Sequence, residues 1–187
     1  YDLAEELGIP MVIMEPVKGG SLASLPAEVP APYKDNNPEA STASWALRWV
    51  ASKPNVKVVL SGMSTPEQVA DNLQTFRSFR PLSLKEKELV AEVSRRIKQR
   101  TRNGCTGCAY CMPCPFGVNI PQNFHIWNEL AMYGNKGKAK QAYFKDLTEK
   151  ERADQCHECG KCEEVCPQGL SIRENLKEVS KEMETLK

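Results

Sequence analysis

Cys105-Thr106-Gly107-Cys108-Ala109-Tyr110-Cys111-Met112-Pro113-Cys114-Pro115 decides what the second half of this chain must be. A matching run follows at Cys156, Cys159, Cys162 and Cys166-Pro167, and together the two runs hold all eight cysteines of the sequence. Three cysteines at two-residue gaps hold three irons of one cubane from a single short loop. A fourth cysteine, followed by proline, is then free to reach a second cluster. Eight thiolates are what two 4Fe–4S clusters require. In two-cluster ferredoxins the fourth cysteine of each run serves the other run's cluster. That wiring groups Cys105, Cys108, Cys111 and Cys166 on one cluster and Cys156, Cys159, Cys162 and Cys114 on the other. The second run has three residues before its last cysteine, as in bacterial ferredoxins, whereas the first has two. The shorter gap limits the reach of Cys114.

Two rival readings of these cysteines are weaker. Cysteines so close on a tight turn pair poorly as disulfides, because a bridge demands a specific Cβ separation and orientation. Structural zinc uses two separated cysteine pairs, or cysteine with histidine, around a tetrahedral ion. Here a third cysteine sits inside each loop. A zinc-stabilised interaction module stays open as an alternative. Gly104, Gly107, Gly160 and Gly169 allow backbone N–H groups to approach sulfur, or serve as ordinary turn glycines.

The chain has 187 residues, a formal net charge of +1 and 41% hydrophobic residues, normal for one good-sized folded domain or two small ones. The charge balance offers no reason to expect a nucleic-acid partner. No signal peptide or membrane-length apolar run is present, so a cytoplasmic location and no membrane contact are expected. Tyr1-Asp2-Leu3-Ala4-Glu5-Glu6-Leu7-Gly8 reads as a helix end capped by Gly8, which points to a fragment of something longer.

Composition shifts near residue 103, and cysteine is absent before it. Residues 1–100 read as α/β and residues 101–187 as all-α. Met11-Val12-Ile13-Met14 and Val56-Lys57-Val58-Val59-Leu60 are apolar runs expected as strands buried on both faces. Between them Pro38-Glu39 opens a helix whose apolar face carries Ala43, Ala46, Leu47 and Val50, with Trp45 and Trp49 one turn apart. Strand, helix, strand makes a parallel βαβ unit. Ser64-Thr65-Pro66-Glu67 starts another helix, continued by Val69, Leu73 and Phe76, and Ser83-Leu84-Lys85-Glu86 forms a capping box for one more. Two strands do not make a stable sheet, and about six more are needed to close a barrel.

The stretch from Gly8 to Gly20 resembles the seventh strand and following loop of aldo-keto reductases. Ala46 to Val50 resembles their seventh helix, and Val59 to Leu73 their eighth strand and cofactor loop. With the cysteine runs behind it, the chain resembles the C-terminal half of iron–sulfur, ferredoxin-like aldo-keto reductases. The resemblance implies the last two strands and helices of a partial (β/α)8 TIM barrel, followed by a helical dicluster ferredoxin domain. It also implies a nicotinamide cofactor, NAD or NADP. Pro16, Val17, Lys18 and Gly19 would cover its pyrophosphate. Gly62, Met63, Ser64, Thr65, Gln68, Asp71 and Asn72 would hold its adenosine phosphate and adenine. NADP-preferring members carry lysine and arginine where this chain has Gly62 and Gln68, which favours NAD or no tight cofactor. The family's Asp, Tyr, Lys and His tetrad comes from earlier strands, so no catalytic residue is assigned. The missing barrel half must come from the same chain or a partner.

Beyond the cysteines, Ile120, Phe124, Trp127 and Ala131 repeat at helical spacing after a Pro121 start. Ala139, Ala142 and Tyr143 predict a second helix and Thr148-Glu149-Lys150-Glu151 a third. Ile172, Leu176, Val179, Met183 and Leu186 form a core-facing stripe on the last. Arg95, Arg96, Lys98, Arg100 and Arg102 form a basic run before the first cluster loop. It reads as a solvated helix face, or as a surface that raises cluster potentials and docks an acidic electron carrier. His125 and His157 fit no ligand spacing. The expectation is an oxidoreductase part, the alternative a non-enzymatic electron-transfer subunit. Nicotinamides move two electrons and each cluster takes one. A flavin, a radical substrate or a separate partner must bridge that mismatch.

Overall fold

The structure is a computed structural model describing residues 1–187, and it divides into two compact units, Tyr1–Ile97 and Lys98–Lys187. In the first unit, α1 (Asp2–Glu6) leads through Gly8, at φ +66°, into β1 (Met11–Ile13). After α2 (Ala31–Asn36) and α3 (Thr42–Ala51), β2 (Val56–Val59) pairs parallel with β1, setting Val12 against Val58 and Ile13 against Val59. Two helices follow, α4 (Pro66–Arg77) and α5 (Leu84–Gln99).

The helix starts follow local chemistry. Thr65 caps α4 by accepting from the Gln68 N–H, with Pro66 at the first helical position. Ser83 and Glu86 exchange the reciprocal bonds of a capping box at α5. The helix expected from Pro38 begins instead at Thr42. Ser41 accepts from the Ser44 N–H and is the better cap, while Pro38 and Glu39 stay in a turn. Sequence periodicity also passed over α2, a single short segment with two prolines at its start.

The core of this unit is Val29, Tyr33, Trp45, Leu47, Val50, Leu82, Val93 and Ile97. Tyr33 and Trp45 stack with centroids 4.5 Å apart. Trp49, one turn on, is exposed beneath the Lys53 ammonium. The strands are not buried on both faces as expected: Val12 is 58% exposed and Val58 44%. The reason is that α3 packs against β2 while a two-stranded sheet brings no second cover. The apolar stripe Val69, Leu73 and Phe76 of α4 is likewise exposed.

The second unit is helical. Its α-helices are α6 (Ile120–Tyr133), the short α7 (Lys136–Gln141) and α8 (Lys161–Glu164), and α9 (Ile172–Glu184). Tyr143 lies in a π-turn spanning Ala142–Asp146, which ends the helix expected to run through it. The Thr148–Glu151 capping box is present but starts only a single 3-10 turn, not a third helix. The Glu151 carbonyl is drawn into bonds from the Asn119 N–H and the Asn123 amide instead.

The unit is a conformational repeat. Cys114-Pro115-Phe116-Gly117 and Cys166-Pro167-Gln168-Gly169 make the same turn. In each, the glycine N–H donates to the cysteine carbonyl, at 3.0 and 3.1 Å, and the glycine takes positive φ. Val118 and Leu170 follow, then Asn119 and Ser171 as helix N-caps, then α6 and α9. Ile120, Phe124 and Trp127 on α6 match Ile172, Leu176 and Val179 on α9, and all six are buried in one core. Trp127 Nε1 ties the pair by donating to Glu182 Oε2 at 2.7 Å.

Candidate iron–sulfur and cofactor sites

None of the eight cysteines is in a disulfide, and all line cavities shared with the first residues of α6 and α9. The loops that present them share one backbone. In the first run Gly107 and Ala109 flank Cys108 at φ +70° and +62°. In the second, Glu158 and Gly160 flank Cys159 at +54° and +80°. Left-handed residues on both sides of a cysteine curl the chain around it, and for a residue with a Cβ that conformation costs roughly 1–2 kcal/mol. Ala109 and Glu158 hold it without being glycine. Gly117 and Gly169 close each run, and Gly104 is not in the left-handed region. The shorter gap of the first run contains a cis Met112–Pro113 peptide bond.

Two cavities divide the thiols. One is lined by Cys105, Cys108, Cys111 and Cys166, with Ile120, Phe124, Leu170 and Ile172 as its apolar floor. The other, of about 140 Å³, is lined by Cys156, Cys159, Cys162, Cys114 and also Cys111, over Val118, Ile120 and Leu176. The first cavity takes three cysteines of its own run and the last cysteine of the other; the second takes Cys156, Cys159 and Cys162 with Cys114, and shares Cys111 with the first. Nowhere do three His, Cys, Asp or Glu side chains converge on a single ion-sized point. A tetrahedral zinc with bonds of about 2.3 Å would draw its thiolates that close together.

Burial pushes the Cys162 thiol up to about 11, helped by the Glu163 carboxylate, and burial raises Cys111 as well. A thiol must lose its proton to ligate a metal, so burial at these two positions works against ligation. His157 stacks on Phe116 with centroids 4.1 Å apart and lines the second cavity, while His125 is exposed on α6.

Asn128 was not signalled by sequence pattern. Its Oδ1 accepts from the backbone N–H of Arg102 at 2.8 Å and of Asn103 at 3.2 Å, and its Nδ2 donates to the Asn103 carbonyl at 3.1 Å. Asn103 Oδ1 in turn accepts from the Cys105 N–H. The chain entering the first run is thereby clamped to α6. The basic run before it is solvated, Arg95 being 60% and Arg102 50% exposed, and partly paired. Arg95 and Arg96 pair with Glu92, Arg100 Nε donates to the Ala131 carbonyl, and Arg102 lies over Trp127 beside Glu182.

In the first unit the loops leaving the C-terminal ends of β1 and β2 face one cavity of about 630 Å³. Pro16, Val17, Gly19, Gly62, Met63, Ser64, Gln68, Asp71 and Asn72 line it, and Lys18 and Thr65 do not. Glu15 and Ser61 line it too, beyond the residues expected from sequence. Its walls are pre-tied: Gln68 Oε1 accepts from the Ser64 N–H, Asp71 accepts from Ser41 Oγ at 2.6 Å, and Asn72 Nδ2 donates to Ser61 Oγ at 3.0 Å. Glu15 and Lys18 both hold positive φ in the first loop. The lining has carboxylates at Glu15 and Asp71 and no lysine or arginine. Amide, hydroxyl and carboxylate groups suit the amine and hydroxyls of an adenosine. Nothing in the lining suits a further phosphomonoester.

A parallel βαβ segment with a loop-built cavity at its strand ends, joined to a helical thiol-rich unit, is the layout of an iron–sulfur oxidoreductase. The chain belongs to the aldo/keto reductase family, whose model matches residues 1–95, and it carries a 4Fe-4S dicluster domain over residues 104–170. No curated protein and no solved structure matches it. No helix is long and apolar enough to cross a membrane.

Proposed function

We propose that this chain is the cofactor-loop and electron-transfer portion of a reductase holding two 4Fe–4S clusters. One is held by Cys105, Cys108, Cys111 and Cys166, the other by Cys156, Cys159, Cys162 and Cys114. The observation that supports this reading is that each cavity gathers three cysteines of one run with the last cysteine of the other, Cys111 lining both. Iron and acid-labile sulfide after anaerobic purification test it. About eight of each per chain is expected, and zinc without sulfide would refute it. Crossing has its own check. Cys166→Ala should damage the cluster of the first run and leave that of the second.

The 630 Å³ cavity takes a nicotinamide dinucleotide, NAD in preference to NADP, because its lining offers no cation for a 2′-phosphate. When bound, the nicotinamide supplies hydride. Gly62, Ser64, Asp71 and Asn72 bind and orient the adenosine end, and Pro16, Val17 and Gly19 cover the phosphates. Isothermal titration with each dinucleotide tests this. Catalysis itself requires further barrel strands, in the same polypeptide or a partner, to supply the tetrad. The exposed apolar face of Val12, Met14, Val58 and Leu60 supports that need. A cytoplasmic setting and an electron-carrier partner complete the proposal.

A further inference from the structure

We infer that Arg173 splits the two clusters in potential, raising that of the cluster at Cys156, Cys159, Cys162 and Cys114 above its twin. This rests on the two-cluster reading above.

The repeat gives both cavities one scaffold, so differences between them come from the side chains added to it. The cavity of the first run has no charged side chain in its lining. The cavity of the second is lined by Arg173, Lys161 and Glu158, with His157 at its edge. In the repeat, Arg173 at the start of α9 corresponds to Pro121 on α6, and Lys161 corresponds to Tyr110. The asymmetry is therefore built into the sequence of an otherwise matched pair.

Arg173 is also fixed in place. Glu163 accepts from its backbone N–H at 2.8 Å, from Nε at 2.9 Å and from Nη2 at 2.7 Å. The nitrogen that Glu163 leaves, Nη1, lies against Gly160 in the loop between Cys159 and Cys162, 3.9 Å from where a Cβ would stand. The guanidinium lines the cavity while the Glu163 carboxylate does not, and Glu163, next to Cys162 in the chain, offsets part of its charge. Taking up one electron adds one negative charge to a thiolate-bound cluster. A fixed cation nearby stabilises that reduced form more than the oxidised one, which raises the potential. The Arg173 side chain is 46% exposed, so salt screens part of the effect.

The test is an anaerobic redox titration of the whole protein with dithionite, followed by electron paramagnetic resonance, after iron and sulfide are counted. Two distinct midpoints are expected. Arg173→Gln should lower the higher midpoint and leave the lower one in place, and Arg173→Lys should retain most of the difference. Raising ionic strength on the unmodified protein should narrow the gap, a readout that needs no variant to fold. Equal midpoints, a shift of both clusters together, or a gap indifferent to salt would overturn the inference while a full iron count leaves the two-cluster reading intact. A half or empty count overturns that reading first, and this inference with it.

Discussion

Replacing Asn128 by alanine should unfasten the loop that leads into the first cysteine run. Asn128 and Asn103 are each 8% exposed, so water reaches the freed groups poorly. The alanine leaves two backbone N–H groups and one carbonyl without their partner, bonds of 2.8, 3.2 and 3.1 Å. An orphaned buried polar group costs about 1–3 kcal/mol, and partial relaxation of a loop residue brings the three together to about 3 kcal/mol. For a unit of this size that corresponds to a fall in Tm of roughly 12–24 °C. Asn128→Asp keeps both acceptor bonds but sets a buried carboxylate oxygen against the Asn103 carbonyl, so it should also destabilise, and less so once the carboxyl is protonated. His125→Ala, on an exposed position of the same helix, should change little. The assay is an anaerobic melt followed by far-UV circular dichroism and by the visible absorbance of the clusters. The reasoning fails if Asn128→Ala melts with the unmodified protein.

Ala109→Gly should stabilise the loaded protein by about 0.5–1 kcal/mol, because relief of a left-handed Cβ outweighs the added chain entropy. Chemical denaturation measures it, and a destabilised variant would contradict the strain argument. Gly62→Lys with Gln68→Arg should turn dinucleotide preference toward NADP by roughly 10-fold or more, one charge-assisted bond being worth about 1.5–3 kcal/mol. Unchanged titrations with NAD and NADP would count against the cavity as the dinucleotide site. In the first unit partial burial works against ionised Glu86. Bonds from Arg48, 2.8 Å away, and from the Ser83 N–H outweigh it and hold the carboxyl below its ordinary 4.5. Its folded value is the lower one, so its contribution is full above about pH 4.5 and is lost as pH falls through the folded value. The stability gap to Glu86→Gln should therefore close on acidification, and a gap constant down to pH 3 would refute the assignment.

The cysteine spacing carried most of what was legible in the second unit, because thiols at fixed gaps leave few arrangements that bury them together. The stripes of α6 and α9 were equally plain, since a 3–4 period survives any change of apolar residue. What was not legible is informative. Asn128 is one polar residue on an apolar helix and has no pattern, and its role exists only once the Arg102–Asn103 backbone arrives beside it. The basic run looked like a free surface because sequence shows charge and hides partners such as Glu92 and Glu182. In the first unit the two strands were legible from apolar runs, but their burial was not. An apolar run states what a strand can be packed against, and only the fold shows whether the second layer is there.

The cysteine loops show why the repeat itself escaped reading. A left-handed residue stands before and after the central cysteine of each run, yet glycine occupies the first place in one and the second place in the other. Glycine search alone finds two unrelated turns, with Ala109 and Glu158 invisible between them. Tolerating roughly 1–2 kcal/mol of strain at each is reasonable where the loop is held at several points. Here it is held by a Cys-Pro-x-Gly turn at one end and a capped helix immediately after. On the two-cluster reading, the last cysteine of each run also belongs to the other cavity, so neither half-site is complete without its twin. The sharing of one core by α6 and α9, and the Trp127–Glu182 bond between them, then acquire a purpose beyond stability. They fix the distance over which Cys114 and Cys166 must reach.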